Sequence, residues 1–192
     1  MAVRYSPLQP YTERMEATLS TTDSHAGALT AEELCRRYAP SVCRFAAMIA
    51  TSSPDADDLA QDALLRAVRA VGSYDSAKGS PEAWLWRIVV NSARDSARRR
   101  ERARGLIERL MFAAPRESES VEATALANLR DADLHAQLRR LPHRDRMLIA
   151  LRYGVGLETD EVAAAVGLSA DSAGKAIRRA LARLRARLEV TR

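Results

Sequence analysis

The chain has 192 residues, a formal net charge of +5 and only 5% aromatic residues, with eight glycines and seven prolines. That length allows one ordinary domain or two small ones, and a composition led by Ala, Leu and Arg without β-branched alternation favours helices throughout. No apolar run approaches a signal core or a membrane span, which argues against direct membrane insertion and for a soluble, cytoplasmic protein.

Residues 1–28 mix Ser, Thr, Pro and Gly without apolar periodicity and are expected to form a disordered leader, within which Met15 is an alternative start. Order is expected from Thr30. Thr30 and Glu33 have capping-box spacing, and Leu34, Tyr38, Val42, Phe45 and Ile49 follow at helical steps. Ser53-Pro54 reads as a cap with proline at the first helical position, opening a helix that turns Leu59, Leu64, Val68 and Val71 inward. A polar loop over 72–79 precedes Ser80-Pro81, which repeats the signal ahead of Trp84, Leu85, Ile88 and Val89. Of the two tryptophans, Trp84 is expected in the core and Trp86 at the surface.

Residues 105–128 break the pattern at Ala113-Ala114-Pro115 and turn acidic at Glu117, Glu119 and Glu122, so they read as a flexible linker between a unit at 29–104 and one at 129–192. In the second unit Leu134, Leu138 and Leu141 precede Pro142, which begins a helix with Met147, Leu148 and Leu151 that Gly154 is placed to end. A short helix from Thr159 to Val166, the turn Gly167-Leu168-Ser169 and a long helix striped with Ile177, Leu181, Leu184 and Leu188 complete the chain.

Charge is concentrated. Residues 94–104 hold six arginines against Asp95 and Glu101, and residues 172–192 hold seven basic residues against Glu189 alone. Two basic helices imply two phosphate-facing surfaces, although solvated helix faces would give the same pattern. The segment 158–187 has the form of a helix–turn–helix, whose second helix enters a major groove. Capped by Ser169, that helix offers Ser172, Lys175, Arg178 and Arg179, with Arg183 further along as a phosphate contact. Asp55, Asp57, Asp58 and Asp62 follow a helix cap, where the macrodipole favours carboxylates; Gln61, Arg66 and Arg69 continue a polar face suited to a protein partner. Trp86, Arg87, Asn91, Arg94 and Arg98 combine an aromatic ring with amide and basic groups, which suits unstacked bases as well as phosphates. Cys35 and Cys43 are too far apart along a helix for a disulfide and, with scattered histidines, make no metal site. No catalytic constellation and no required cofactor are visible.

These residues carry a resemblance. Asp57-Asp58-Leu59-Ala60-Gln61-Asp62 with Leu65-Arg66-Ala67 resembles the polymerase-binding helix of extracytoplasmic-function sigma factors, a subfamily of bacterial sigma-70-type factors. Ala83-Trp84-Leu85-Trp86-Arg87-Ile88, then Asn91, Asp95 and Arg98-Arg99, is similar to the family's minus-ten segment. Leu138-Arg139-Arg140-Leu141-Pro142, Arg146, Leu151-Arg152-Tyr153, Gly156-Leu157, Glu161-Val162-Ala163 and Gly167-Leu168-Ser169 resemble its region-four domain. The motifs stand in the family's order over roughly residues 30–190.

The resemblance implies two small helical domains, the second with a helix–turn–helix, and partners in bacterial core RNA polymerase and promoter DNA. Asp58, Gln61, Asp62 and Arg66 would dock on the polymerase. Tyr74, Asp75, Lys78, Trp86, Arg87, Asn91, Arg94 and Arg98 would melt and hold the minus-ten element, and Ser172, Lys175, Arg178, Arg179 and Arg183 would read the minus-thirty-five element. An anti-sigma factor is a further partner common among such proteins. The chain departs from the family at Leu64 and Val68, where aromatics are usual, and at Ala173-Gly174-Lys175-Ala176, which leaves fewer side chains for DNA at 174 and 176. A stand-alone helix–turn–helix regulator would leave the first unit without a role; a sigma-like decoy, binding polymerase without initiating, is a third reading.

Overall fold

The computed structural model describes residues 29–110 and 129–190, and every regular element in them is helical. Thr30 opens α1 (Ala31–Ile49): its hydroxyl oxygen accepts the Glu33 N–H at 3.1 Å, one of the donors a helix start leaves unpaired. The expected stripe Leu34, Tyr38, Val42, Phe45 and Ile49 is buried along its length. Helix α2 (Ser53–Ala70) is capped by Ser52, one residue earlier than the sequence predicts, because Ser52 Oγ accepts the Asp55 N–H at 3.3 Å. Pro54 still falls in the first turn, where no intrahelical donor is lost. Leu59 and Leu64 are buried, whereas Val68 and Val71 are half-buried where α2 runs out into the loop.

That loop is organised as two 3-10 turns, Val71–Ser73 and Ser76–Lys78. Ser80 Oγ then accepts the Ala83 N–H at 3.2 Å and starts α3 (Pro81–Leu110). Here the tryptophan expectation is reversed. The inward stripe of α3 is Leu85, Trp86, Val89, Val90 and Ala93, so Trp86 is 2% exposed and meets Phe45 edge-on with ring centroids 5.6 Å apart. Trp84 lies at the stripe's border, half-buried against Tyr74, also at 5.6 Å. Helix α3 runs six residues beyond Arg104, so the first part of the expected linker, 105–110, is helical. The rest of the expected linker, 111–128, and the leader 1–28 with Met15 lie outside the described residues.

The second unit comprises α4 (Leu129–Arg139), α5 (His143–Ile149) prolonged by a π-helical stretch (Ala150–Val155), α6 (Thr159–Val166) and α7 (Ala170–Val190). Leu134 is 40% exposed, whereas Leu138 and Leu141 are buried. Gly154 does not end the helix. The left-handed residue that stops it is Gly156 (φ 91°), and Gly167 (φ 75°) does the same after α6, where a Cβ would be strained.

The apolar cores of the two units are continuous. One cluster joins Leu34, Phe45, Leu85 and Val89 of the first unit to Met147, Leu148, Leu151, Val162, Val166 and Ile177 of the second. A smaller one, Leu138, Leu141, Ile149, Ala180 and Leu184, fixes α4 and α5 on α7.

Candidate nucleic-acid and polymerase interfaces

On α2, Asp58 and Gln61 are exposed and lie one turn apart, as a docking face requires. Asp62 and Arg66 are engaged internally. Arg66 donates to Asp62 at 3.1 Å and to Asp95 of α3 at 3.0 Å, and Arg99 approaches Asp62 at 3.6 Å. The Arg66 hydrogen bond holds the Asp95 carboxyl below the usual carboxylate range. These groups fix α2 against α3 and thereby orient Asp58 and Gln61. A second strut joins α1 to α3, where both Tyr38 Oη and Arg37 donate to Glu82 at 2.6 Å.

Arg87, Asn91, Arg94 and Arg98 recur at four, three and four residues, which places them along one face of α3. Arg87, Asn91 and Arg98 are exposed, but Arg94 is half-buried and donates through Nη2 to the Val166 carbonyl at 2.7 Å. The adjoining loop is held by its own polar groups. Asp75 accepts the Ala77 N–H and pairs with Lys78, both at 3.0 Å, while Tyr74 Oη donates to the Gly79 carbonyl at 3.0 Å. Lys78 is largely solvent-exposed. Trp86, closed off in the core, is not available to a base. Trp84, which sequence reasoning assigned to the core, is the ring beside the loop.

The helix–turn–helix has its expected form. Glu161 accepts the Glu158 N–H at 2.7 Å ahead of α6, and Ser169 Oγ accepts the Ser172 N–H at 3.3 Å ahead of α7. Ser172, Lys175, Arg178 and Arg179 are exposed on the first turns of α7. Lys175 pairs with Asp171 at 2.7 Å, a surface contact that is readily exchanged. Arg183 differs, because it is paired at 2.5 Å with Asp145, whose side chain is almost buried, and so ties α7 to α5. Ala173 and Ala176 are buried in the small core, so position 176 was never available to DNA. A Cβ at Gly174 would meet only ordinary van der Waals contacts, with Arg178 and Thr159.

Between α3, α5 and α6 lies an open cleft of about 260 Å³ lined by Arg94, Arg98, His143 and Arg144 over Met147 and Leu148. Burial, reinforced by the cations of Arg146, Arg100 and Arg94, pushes the His143 imidazole down to about 4. Across the same seam Arg44 of α1 donates to the Gly154 carbonyl at 3.3 Å, and a Cβ on Gly154 would run into the Met48 sulfur. Sequence reasoning missed these seam residues. The available signal was a glycine two positions before Gly156, one more than a helix end needs.

Comparison with known proteins follows the same division. Residues 34–103 match the family described as Sigma-70 region 2, and residues 131–184 match Sigma-70, region 4. An ECF RNA polymerase sigma factor SigE of Mycolicibacterium smegmatis is 32% identical over 88% of this chain, which spans 65% of that relative's length. An RNA polymerase sigma-E factor of Streptomyces avermitilis is 33% identical over 86% of this chain and 89% of its own. Among solved structures, CnrH in complex with the cytosolic domain of CnrY is 28% identical with a TM-score of 0.60, covering 83% of this chain and 88% of that one. The sigma factor RpoE with the anti-sigma factor NepR from Bartonella quintana shares the fold, with a TM-score of 0.65 over 84% of this chain and 98% of that one at 24% identity.

Proposed function

Because this chain belongs to the extracytoplasmic-function subfamily of sigma-70-type RNA polymerase sigma factors, we propose that it is an alternative sigma factor that binds core polymerase and directs it to particular promoters. It is not an enzyme. Its work is recognition, and the unstacking of a few bases, about a few kcal/mol each, is offset by holding them on the protein. The observation that carries this reading is the division of labour over three faces. The acidic face of α2 presents Asp58 and Gln61, the stripe on α3 presents Arg87, Asn91 and Arg98 around the half-buried Arg94, and α7 presents Ser172, Lys175, Arg178 and Arg179.

In this reading residues 29–110 dock on polymerase and capture the minus-ten element, with Tyr74, Asp75 and Lys78 of the loop beside the stripe. Residues 129–190 read the minus-thirty-five element. Asp62 and Arg66 act by holding the docking face, and Arg183 by holding α7. We place the protein in the cytoplasm with the polymerase it serves. No helix among the described residues is long and apolar enough to cross a membrane. An anti-sigma factor is a further proposed partner: RpoE is seen with the anti-sigma factor NepR, and CnrH with the cytosolic domain of CnrY.

Purified core RNA polymerase tests the reading through pull-down and run-off transcription on genomic fragments. The expected result is co-purification and new, specific start sites. Asp58→Arg should weaken polymerase binding about tenfold or more without unfolding the chain, the scale at which a reversed charge at a contact acts. Asn91→Ala should retain binding and lose promoter opening. Unchanged polymerase affinity in Asp58→Arg would reject the docking face. Specific duplex binding by the free chain without polymerase would favour a stand-alone regulator.

A further inference from the structure

We propose that the cleft between α3, α5 and α6 binds a small phosphorylated ligand of the nucleoside diphosphate class, its phosphates held by Arg94, Arg98, His143 and Arg144 and its ring set on the apolar floor. The inference goes beyond the sigma-factor reading and does not rest on it, since it needs only the residues that line the cleft.

Three observations carry it. The first is charge without counter-charge. Arg94, Arg98 and Arg144 line the cleft beside His143, and no carboxylate lines it with them. Arg94 and Arg144 form no ion pair among the described residues, and Arg98 has one long contact, 3.8 Å from an Asp95 that lies outside the lining. Cations gathered in a cleft focus their field there and draw in an anion.

The second is preorganisation. Arg94 gives one Nη2 donor to the Val166 carbonyl at 2.7 Å, which anchors its guanidinium and leaves the other donors of the fork for phosphate oxygens. Behind the lining stands Arg146, one turn on from His143. It is 7% exposed, its Nη1 donates to the Arg139 carbonyl, and its Nε has no hydrogen-bond partner among the described residues. Its charge adds to the field at His143, as does that of Arg100, although Arg100 is also 3.6 Å from Asp55.

The third is shape. The cleft encloses about 260 Å³ over a floor that includes Met147, Leu148 and Leu168. Small-molecule sites are mostly apolar clefts of roughly 300–1,000 Å³ with a few placed polar groups, and this one lies at the lower edge of that range. An inorganic anion would use the arginines and leave the floor bare. A nucleoside diphosphate uses both, with two phosphates for the guanidinium groups and a flat ring for the apolar side chains. A nucleic-acid strand, carrying one charge per nucleotide, would bring less charge into so small a space.

The imidazole NMR signal that disappears in His143→Gln reads the site directly on the full chain. Adenosine diphosphate at millimolar concentration should move that signal. At saturation His143 should titrate well above its free value of about 4, because a bound anion favours the imidazolium that the arginines oppose. Arg94 and Arg98 also belong to the α3 stripe, so the test variant comes from α5. Replacing the exposed Arg144, as Arg144→Ala, should weaken binding about tenfold or more, the scale of one hydrogen bond to a charged group, and Arg144→Lys should restore part of it. Arg36→Ala, which removes the same charge from the exposed side of α1, should leave binding unchanged. A His143 signal that does not respond would overturn the proposal. Equal weakening by Arg36→Ala would overturn it too, by showing diffuse attraction to a basic protein. Inorganic pyrophosphate that binds as tightly as the nucleotide would overturn the part played by the floor. A single-stranded oligonucleotide that moves the signal where adenosine diphosphate does not would assign the cleft to nucleic acid instead. None of these readouts involves polymerase, so failure of the sigma reading and failure of the ligand site are told apart.

Discussion

His143 shows how one side chain reports on the seam. Its ring lies between α3 and α5, faced by Arg94 and Arg100 from the first and Arg144 and Arg146 from the second, so a proton on it would be both poorly solvated and repelled. Depressing the folded-state value from 6.5 to about 4 means that the packed state binds fewer protons than the open or unfolded state throughout that interval. Stability is therefore fully present above about pH 6.5 and is lost as the pH falls towards 4. Thermal unfolding should shift down between pH 7 and pH 5 in the wild type and much less in His143→Gln. The imidazole NMR signal that disappears in that variant should titrate near 4 rather than near 6.5. The tryptophans make a different point at this scale. Two rings two residues apart must fall on different sides of a helix, but which is inside depends on where the stripe is centred. Phe45, contributed by another helix, decides for Trp86.

At the scale of the element, local chemistry explains most of what forms. Thr30, Ser80 and Ser169 cap the helices they were expected to cap, and Gly167 turns the chain where a left-handed residue is needed. The unusual Gly174 in α7 is a propensity defect with no packing reason, since a Cβ there touches its neighbours only at ordinary distances. Gly174→Ala should accordingly stabilise the protein by about 0.5–1 kcal/mol, read as a higher denaturation midpoint with an unchanged slope. Should the same substitution reduce promoter binding, close approach of DNA to the glycine backbone would be its reason for being there. Ala173 and Ala176, by contrast, are small because they are buried between helices. A larger residue would overpack that core at a cost of about 1–3 kcal/mol.

For the whole molecule the decisive feature is the apposition of two units that carry charge of the same sign. Repulsion between exposed cations is screened over about 10 Å at 0.1 M salt, whereas the apolar contacts beneath them are not. Raising salt should therefore strengthen the seam, and cysteines placed at positions 48 and 154 (Met48→Cys with Gly154→Cys) should form a disulfide faster at moderate than at low ionic strength. A rate that fell with salt would mean that attraction, not repulsion, governs the seam. The sequence by itself determined the helical class, the order of the elements, the apolar stripes and the three polar faces, because helical periodicity and capping are properties of residues a few positions apart. It misplaced Trp86 and Gly154, and it did not show the internal pairings of Asp62, Arg66 and Arg183. Their partners — Phe45, Met48, Asp95 and Asp145 among them — lie on other helices. Only the tertiary structure decided that the second unit packs against α3 of the first, since that contact joins residues such as Arg94 and Val166 that no local rule relates.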